Sequence, residues 1–586
     1  MVLFMKRYIA LTLMFLFAFT LFAGCNDKTA DGTGTSGSKD SAQRVVDFAK
    51  EGFSVVRTGG DEKMSALASD IFKAVKENTG ERLSNVDDTT EVNPKGEIII
   101  GATSRPQSEK AKQMIWEHGT GRANEYIVAF IDGSIVINAM SDDALNAAVS
   151  HFIETYCREC KFDTSTVDVH KDTENYTDIT LSGVNIGKYK IVMPRYNVSY
   201  LVSSEAEKLH DTLLQKTGYS LDIIRDDSAA SEYEIIIDKS NRDGVADSLS
   251  KTDYELRPDG SKLYVSGGKN YSTAVAVQKL TAMVGTASGE LISSAVKESC
   301  SESAAVLDGY KLKWTDEFDT LDRSFWFIKE GEEEKKFNGW YGMRPYRSST
   351  ADNLYTNDGK LYLRATYDDK YFYGSMINTK NSLNFTYGYM EMSARIPDGD
   401  GIWSDFWTWS NEQDHMEIDI AECWSGGSYY VNYLHELLKG PDGKYLDITP
   451  AHSFVTKYGS FAERPRSLTE EYKANYDNSM NKEYHSIGAI WDEEKVVCVR
   501  DGEVTFTYTY KGTNNEHLYK IPHYIMLSML VGSNQLNKTP EQIRSDGSSI
   551  LNPLLDADYW SDERACFIID YVQIFQKDGW YMNFGR

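Results

Sequence analysis

The chain shows two kinds of hydrophobic pattern. Over about residues 45 to 305, short apolar runs such as Ile98-Ile99-Ile100 alternate with segments of helical period. Residues 308 to 578 show short alternating strands and little helical periodicity, with Asp-Gly pairs typical of hairpin turns at Asp358 and Asp501. The first pattern predicts small α/β units, and the second predicts an antiparallel all-β sandwich.

The α/β region contains an internal repeat. The first copy predicts helices over about 63–78 and 141–155, and the second predicts helices over about 204–216 and 271–284. Both copies also contain the strand Glu-Ile-Ile-Ile and a later Asp-Gly turn, in the same order. The offset between copies stays between 127 and 138 residues, a regularity typical of duplicated units. Each copy is predicted to be a small sheet with helices on one face.

The first residues have the pattern of a secretory signal. Two basic residues precede an apolar run over 8–23, which is short for a membrane span. The run ends in Leu21-Phe22-Ala23-Gly24-Cys25, which resembles a bacterial lipoprotein box, although Phe22 stands where leucine is usual. The likeness implies a lipidated Cys25 and attachment to the outer face of the bacterial cell membrane. A plain signal peptide cut near Ala23, or an uncleaved anchor, is the alternative.

These patterns divide the 586 residues into five predicted segments, because one domain cannot account for this length. The segments are a lipoprotein signal peptide at 1–24, a lipid-anchored Cys25 with a flexible linker at 25–44, α/β module copy 1 at 45–175, copy 2 at 176–305, and a β-jelly-roll domain at 306–580.

Three carboxylates lie close together in the all-β region, in Glu417-Ile418-Asp419-Ile420-Ala421-Glu422. Strand alternation places Glu417 and Asp419 on one face, and a β-bulge at about Ala421 would bring Glu422 to the same side. Like charges on one face repel, so the arrangement favours a chemical role. Paired carboxyl groups are typical of retaining glycosidases. A charged strand or an acidic calcium site is the alternative interpretation.

Tryptophans flank these acids. Alternation puts Trp403, Trp407 and Trp409 on one face of the preceding segment, together with Asp405, and Trp424 follows Glu422 by two positions. Indole faces stack on the apolar faces of pyranose rings, so this pattern predicts a sugar-binding cleft. Core packing is the alternative for Trp407.

Residues 308 to 578 resemble the catalytic domain of glycoside hydrolase family 16, the laminarinase and lichenase group. The acid cluster matches that family's pattern E-x-D-x-x-E. Further matches occur in order at Trp314-Thr315-Asp316-Glu317-Phe318, Asp358-Gly359-Lys360-Leu361, Phe385 to Glu391, His485 to Trp491, and Ile569 to Ile574. The resemblance implies a concanavalin A-like jelly roll with an open groove, and therefore internal cleavage of a β-linked polysaccharide.

The resemblance implies roles at the matching positions. Glu417 matches the nucleophile, Asp419 the assisting acid, and Glu422 the general acid and base. The candidate substrate-binding residues are Trp403, Trp407, Trp424, His435, Trp340 and Arg344. No cofactor or catalytic metal is expected. A structural calcium ion with Asp570 as a ligand stays open, with a salt-bridged strand end as the alternative.

The chain departs from laminarinases where the substrate is selected. Those enzymes usually have Trp-Pro-Ala-Phe-Trp where this chain has Trp403-Ser404-Asp405-Phe406-Trp407, and an Asn-rich loop where it has residues 338–346. The first expectation is a β-1,3-glucan or a mixed β-1,3-1,4-glucan, and the second is a galactan of the agarose or carrageenan type. A noncatalytic surface carbohydrate-binding protein and a structural surface protein are the alternatives from other classes.

The net charge and the cysteine content limit the possible partners and metal sites. A formal net charge of −26 makes nucleic acid a poor partner. Cys157 and Cys160 lack a second pair at metal spacing, so a small-loop disulfide or two free thiols are favoured over zinc. Alternation turns Cys423 away from the acids and into the core. The two α/β modules resemble noncatalytic domains of some hexosaminidases and glucuronidases. A spacer between membrane and enzyme is the first expectation for them, and contact with substrate or with a neighbour at the surface is the alternative.

Overall fold

A computed structural model describes residues 44–245, 249–331, 346–347, 350–367, 372–398, 402–410, 412, 415–424, 429–439, 445–447, 452–457, 480–531 and 563–585. The predicted signal peptide and lipidated Cys25 lie outside the described residues, as does nearly all of the predicted linker. Within the described ranges, no helix is both long and apolar enough to cross a membrane.

The N-terminal unit is built on a six-stranded mixed sheet. Its elements are β1 (Val45–Asp47), β2 (Ser54–Arg57), α1 (Glu62–Thr79), β3 (Ser84–Asp87), β4 (Glu97–Ile100), α2 (Pro106–His118), β5 (Tyr126–Ile131), β6 (Ser134–Ala139), α3 (Asp142–Tyr156), β7 (Lys161–Asp163) and β8 (Val167–His170). The sheet has the strand order β3-β2-β4-β6-β5-β8, and its first four strands are parallel. Strands β1 and β7 pair separately with each other.

Helices cover both faces of this sheet. Helices α1 and α3 pack on the face that carries Ile98 and Ile100. Helix α2 packs through Ala111 and Ile115 on the opposite face, against Ile99. The expectation of helices on one face is therefore wrong for this unit. The buried residues of α2 form too sparse an apolar stripe to stand out in the sequence.

The second unit has the same sheet topology. Its elements are β9 (Ile179–Leu181), β10 (Val184–Asn185), β11 (Lys190–Met193), α4 (Tyr200–Thr217), β12 (Ile223–Arg225), β13 (Glu234–Ile237), β14 (Asp253–Asp259), β15 (Lys262–Gly267), α5 (Asn270–Thr286), β16 (Gly289–Glu290) and β17 (Val296–Ser299). Its sheet order, β12-β11-β13-β15-β14-β17, repeats the order of the first unit strand for strand. Helices α4 and α5 pack together in its main core. The boundaries at residues 175 and 305 stay predictions.

A buried ion pair recurs at equivalent positions of the two units. Arg105 donates two hydrogen bonds to the Glu97 carboxylate. The guanidinium group of Arg242 lies 3.4 Å from Oε1 of Glu234. Each arginine also donates to two backbone carbonyl groups of an earlier loop. Both residues of the second pair follow those of the first by 137 positions. Because an unpaired buried charge is costly, a pair kept in both copies supports the internal repeat.

The first helix of each unit has matching caps. Asp61 accepts a hydrogen bond from the N–H of Met64 at the start of α1, and Ser199 has the same role at the start of α4. Gly80 and Gly218 follow the two helices with φ angles of 75° and 74°, a conformation that strains residues with a Cβ. An N-cap of this kind stabilises a helix by about 1 kcal/mol.

The C-terminal half is a two-layer β-sandwich. Its strands are β18 (Lys311–Asp316), β19 (Phe327–Ile328), β20 (Glu330–Gly331), β21 (Tyr346–Arg347), β22 (Leu354–Asn357), β23 (Lys360–Arg364), β24 (Thr366–Tyr367), β25 (Phe372–Tyr373), β26 (Ser375–Asn378), β27 (Leu383–Phe385), β28 (Gly388–Arg395), β29 (Ile402–Trp409), β30 (His415–Trp424), β31 (Tyr429–Lys439), β32 (Tyr445–Asp447), β33 (His452–Lys457), β34 (His485–Trp491), β35 (Lys495–Arg500), β36 (Glu503–Thr509), β37 (Tyr524–Val531), β38 (Cys566–Gln576) and β39 (Met582–Phe584). The predicted antiparallel character is confirmed in both large sheets.

The two large sheets have eight strands each. One has the order β22-β23-β38-β28-β34-β35-β36, with β18 added beside β38, and we call it the back sheet. The other has the order β19-β26-β37-β29-β30-β31-β32, with β33 beside β31, and we call it the acid sheet because β30 carries the three carboxylates. Apolar residues of both sheets, including Met390, Trp491, Phe406 and Leu527, form the core between them.

A β-bulge interrupts strand β30 at the acids. Asp419 pairs with Tyr433 and Glu422 with Val431, so two residues of β30 lie opposite Asn432 alone. The bulge predicted at about Ala421 is therefore present, at Ile420 and Ala421. It returns the strand to the register that places Glu422 on the same face as the other two acids.

Asn432 holds the bulge from the neighbouring strand. A bulge frees backbone groups from the ladder, and a buried carbonyl group without a donor is costly. The Asn432 amide donates to the carbonyl of Ile420 at 2.5 Å, and its own oxygen accepts from Thr505 at 2.8 Å. Asn432 is fully buried, so water does not replace these bonds.

The second α/β unit docks on the back sheet, on the side away from the acid sheet. The centre of this contact is Glu391 of β28, a fully buried carboxylate. It accepts hydrogen bonds from Ser199 at 2.6 Å and Asn270 at 2.7 Å, which begin helices α4 and α5. Tyr571 and Tyr389 of the sandwich donate to the same carboxylate.

The docking contact also includes the predicted hairpin at Asp501 and Gly502. Ser203 donates to the carbonyl of Gly502 at 2.7 Å, and Arg225 donates to the carbonyl of Asp501 at 3.1 Å. The first unit, in turn, contacts the second through Trp116, whose ring stacks on Tyr219 at 5.5 Å between centroids. The order of contacts is therefore first unit, second unit, back sheet and acid sheet.

Replacing Asn432 should loosen the bulge. We expect Asn432→Ala to lower the free energy of unfolding by about 2 to 3 kcal/mol, because the Ile420 carbonyl and the Thr505 hydroxyl lose buried partners. Urea unfolding followed by tryptophan fluorescence measures this change. Asn481→Ala removes an exposed hydrogen bond to Asp398 and should cost about 0.5 kcal/mol or less. Equal costs for the two variants would contradict this role for Asn432.

Replacing Asn270 should weaken docking. Its amide donates to Glu391 and also to Gln573 at 2.9 Å, so Asn270→Ala leaves two buried acceptors with fewer donors. We expect a loss of about 2 kcal/mol in unfolding free energy. We also expect faster proteolysis between the second unit and the sandwich. Asn124→Ala, which removes an exposed bond to Asp172, is the matched control. An unchanged proteolysis rate in Asn270→Ala would contradict the docking role.

Candidate active site

Strand β30 divides its side chains between two environments. Ile418, Ile420 and Cys423 are buried in the sandwich core, as is Ala421 of the bulge. Met416 is buried in the same core, so the acids Glu417, Asp419 and Glu422 lie on the other side of the acid sheet, which we call the acid face. Glu417 and Glu422 are partly exposed there, and Asp419 between them is 5% exposed. The sequence prediction of three acids on one face and of Cys423 in the core agrees with this arrangement.

The carboxyl groups of the acid face interact with one another. Burial raises the pKa of Asp419 well above its usual range, and the charges of Glu417, Glu422 and Asp405 raise it further. A hydrogen bond between Asp419 and Glu417 acts in the same direction. Protonation of Asp419 is therefore favoured relative to an exposed aspartate, and its titration is linked to that of its neighbours.

Tryptophans from strand β29 lie beside the acids. Trp403, Trp407 and Trp409 are partly buried, and they pack on one apolar cluster. The cluster consists of Met376, Tyr524, Met526 and Leu530, from the neighbouring strands β26 and β37. Trp407 and Trp409 meet edge to face, with 5.9 Å between ring centroids. Part of each indole stays accessible, so the acid face combines carboxylates with an aromatic surface.

Cross-strand register fixes which residues are neighbours. Trp407 pairs with Asp419, Asp405 with Glu422, and Trp403 with Trp424. His435 of β31 pairs with Glu417. The strand positions of Trp424 and His435 thus lie next to the acids, while their side chains fall outside the described part of the structure. Trp340 and Arg344 lie outside the described residues altogether.

Three residues around the acids were not predicted from the sequence. Ser528 of β37 accepts a hydrogen bond from Trp407 Nε1 at 3.0 Å and donates one to Asp405 at 2.8 Å. Asn432 holds the bulge. Tyr524 lies near Glu417, and burial followed by that charge raises its pKa to about 12. The alternating run Tyr524–Val531 marks a strand, but no local pattern indicates which strand lies beside β29.

Cys157, Cys160 and the candidate calcium ligand Asp570 lie away from this face. Cys157 and Cys160 are buried thiols in the first α/β unit, and burial raises their pKa values to about 12 and about 11. Asp570, the candidate calcium ligand, lies on the back sheet 4.0 Å from Lys360. Among the described side chains, no group of three or more His, Cys, Asp or Glu residues is arranged to hold a metal ion.

Sequence comparison connects this site with known proteins. The profile of glycosyl hydrolases family 16 matches residues 344–433, a range that includes β29 and β30. A glucan endo-1,3-β-glucosidase A1 of Niallia circulans is 26% identical over 302 residues, which cover 46% of this chain and 38% of that protein. The endo-1,3-1,4-β-glycanase ExsH of Rhizobium meliloti (strain 1021) is 24% identical over 261 residues, covering 40% of this chain and 49% of that protein.

The laminarinase from Rhodothermus marinus is among the similar solved structures. It has 18% sequence identity and a TM-score of 0.35, with 46% of this chain and 98% of that chain covered. The chain spans about half or less of the length of the two curated relatives. The profile match and these relatives place a family 16 glycoside hydrolase domain, the domain of an enzyme family, in the half of this chain that carries Glu417, Asp419 and Glu422.

Proposed function

We propose that this chain is a retaining, endo-acting glycoside hydrolase that cleaves β-1,3-glucan or mixed β-1,3-1,4-glucan. The observation that carries the proposal is the bulged strand β30, which brings three interacting carboxylates to one accessible face beside tryptophans. The names of the two curated relatives, an endo-1,3-β-glucosidase and an endo-1,3-1,4-β-glycanase, support this choice of substrate.

In the proposed first step, the Glu417 carboxylate attacks the anomeric carbon. The glycosidic C–O bond breaks, and Glu422 gives its proton to the departing oxygen. The product of this step is a glycosyl ester on Glu417. In the second step, Glu422 takes a proton from water, whose oxygen attacks the same carbon and releases Glu417. Two inversions at one carbon retain its configuration.

Asp419 has a supporting role in this proposal. Its raised pKa supports a protonated carboxyl that donates a hydrogen bond to Glu417. As Glu417 becomes an ester it loses its charge, and the shared proton can then move toward Glu422. The indoles of Trp403 and Trp407 would stack on sugar rings next to the cleavage point. An open face would admit a polymer along its length, which favours internal cleavage.

We also propose that Cys25 is lipidated and anchors the enzyme to the outer face of a bacterial cell membrane. The order in which the units contact one another supports a spacer role for the two α/β units. The second unit docks on the back sheet, opposite the acid face. A tether that leads into the first unit would then direct the acid face away from the membrane and toward an external polysaccharide.

Removing the nucleophile should abolish hydrolysis. We expect the purified protein to release reducing ends from laminarin, lichenan or barley β-glucan, and Glu417→Gln to reduce kcat by about 10³-fold or more. Glu483→Gln, which alters an exposed carboxylate of the same domain, should keep wild-type activity. Nuclear magnetic resonance of fresh products should show the β-anomer first.

Each proposed feature can fail separately in this experiment. Cleavage of agarose alone would replace the glucan by a galactan. Binding to these polymers without any product would favour the noncatalytic carbohydrate-binding protein. Initial release of the α-anomer would contradict retention, and full activity of Glu417→Gln would contradict the assigned nucleophile.

Membrane attachment should depend on Cys25. In a bacterium that expresses the full chain, we expect the wild-type protein in the membrane fraction and labelled by radioactive palmitate. Cys25→Ser should lose the label, because lipidation requires the thiol. Cys300→Ser, at a half-buried cysteine of the second unit, should keep it. Labelling of the Cys25→Ser variant would contradict the anchor.

A further inference from the structure

A fourth carboxylate, Asp405, lies on the acid face. It is 5% exposed and occupies the position of strand β29 that pairs with Glu422 on one side and with Ser528 of β37 on the other. Its location adds a fourth carboxyl group beside three acids that already interact. The reaction proposed above assigns no role to this group.

The hydrogen bonds around Asp405 have a fixed direction. The indole N–H of Trp407 can only donate, so the Ser528 oxygen accepts this bond at 3.0 Å. The Ser528 hydroxyl then directs its own proton to Asp405 Oδ2 at 2.8 Å. A carboxylate that accepts a hydrogen bond is stabilised in its charged form. The order from Trp407 through Ser528 to Asp405 therefore favours a negative charge on Asp405.

That charge acts on the acids of the adjacent strand. Asp405 is among the groups that raise the pKa of Asp419, after burial, Glu417 and Glu422. Its nearest cross-strand neighbour among the acids is Glu422, whereas Glu417 lies beyond Asp419 along β30. The charge of Asp405 is therefore placed to act more strongly on Asp419 and Glu422 than on Glu417.

We propose that Asp405 is a positioning residue that keeps a proton on the Asp419 and Glu422 side of the acid cluster. This inference rests on the proposed function, in which Glu422 must be protonated and Glu417 ionised before the bond breaks. Asp405 does not touch the reacting atoms in this proposal. It acts through the acids, as a fixed negative charge held by Ser528.

The groups that face Asp405 decide whether removing its charge raises or lowers the pKa of the neighbouring acids. Strand β30 contributes the acids Glu417, Asp419 and Glu422, and strand β37 contributes Tyr524 and the uncharged Ser528. The described positions of β29 itself add no other charged side chain. Removing the Asp405 charge should thus lower the pKa of the neighbouring acids. The proton on the general acid would then be lost at lower pH.

The test is the pH dependence of kcat/KM on laminarin and barley β-glucan. We expect Asp405→Asn to move the alkaline limb, which reports loss of the proton from the acid, about one pH unit lower. The acidic limb, which reports ionisation of Glu417, should move less. Ser528→Ala should shift the alkaline limb in the same direction by a smaller amount, since Asp405 loses the donor that stabilises its charge.

A neighbouring serine provides the matched control. Ser404 is also buried, and alternation turns its side chain toward the core face of β29. Ser404→Ala should leave both limbs unchanged. A merely structural role for Asp405 would lower activity equally at all pH values. A raised KM with an unmoved alkaline limb would show a substrate contact instead, and either result would overturn the inference.

A second measurement needs no turnover. The infrared difference between wild type and Asp419→Asn identifies the carbonyl band of the protonated Asp419 carboxyl, which is then titrated in each variant. The band should disappear at lower pH in Asp405→Asn and at the wild-type pH in Ser404→Ala. If the wild type cleaves no polymer, the proposed function fails while this titration still tests Asp405. If the wild type is active and both readouts are unmoved in Asp405→Asn, only the present inference fails.

Discussion

The geometry of the acid face depends on one extra residue in strand β30. A regular strand alternates its side chains with period two, and three acids at the spacing of Glu417, Asp419 and Glu422 cannot share one face of it. The bulge at Ile420 and Ala421 resolves this conflict, and the Asn432 amide supplies the hydrogen bond that the bulge removes from the ladder. The same shift keeps Cys423 in the core. Register, core packing and the grouping of charges are therefore consequences of a single insertion.

Most of the local structure could be predicted from the sequence, because each signal was contained in a few neighbouring residues. The alternation in β30, the approximate spans of helices α1 and α4, and the duplicated order of elements are of this kind. Helix α2 was missed because its apolar stripe is sparse. The contacts of Asn432, Ser528 and Glu391 join positions far apart in the chain, and no periodicity indicates which strands become neighbours. Such pairings depend on the whole sheet, so they require the structure.

The docking of the second α/β unit shows how a buried charge is accommodated. Glu391 lies on the face of the back sheet that would be exposed in an isolated sandwich, and it becomes fully buried under helices α4 and α5. Ser199 and Asn270 at the starts of these helices compensate for the lost water, together with the tyrosines of the sandwich. Helix N-termini favour nearby negative charge, which adds to the same effect. The contact is thus polar at its centre and apolar around it, with Tyr389 and Phe575 in the shared core.

The direction of the bonds from Trp407 through Ser528 to Asp405 has a consequence for proton exchange. An indole nitrogen cannot accept a proton, so no proton can leave Asp405 through Ser528 and Trp407. This route is closed at its far end, whereas Glu417 and Glu422 are partly exposed and lie within reach of water. The acid face therefore has a closed end at Trp407 and a side open to solvent at the two glutamates, so proton exchange with water is easier on the glutamate side than behind Asp405.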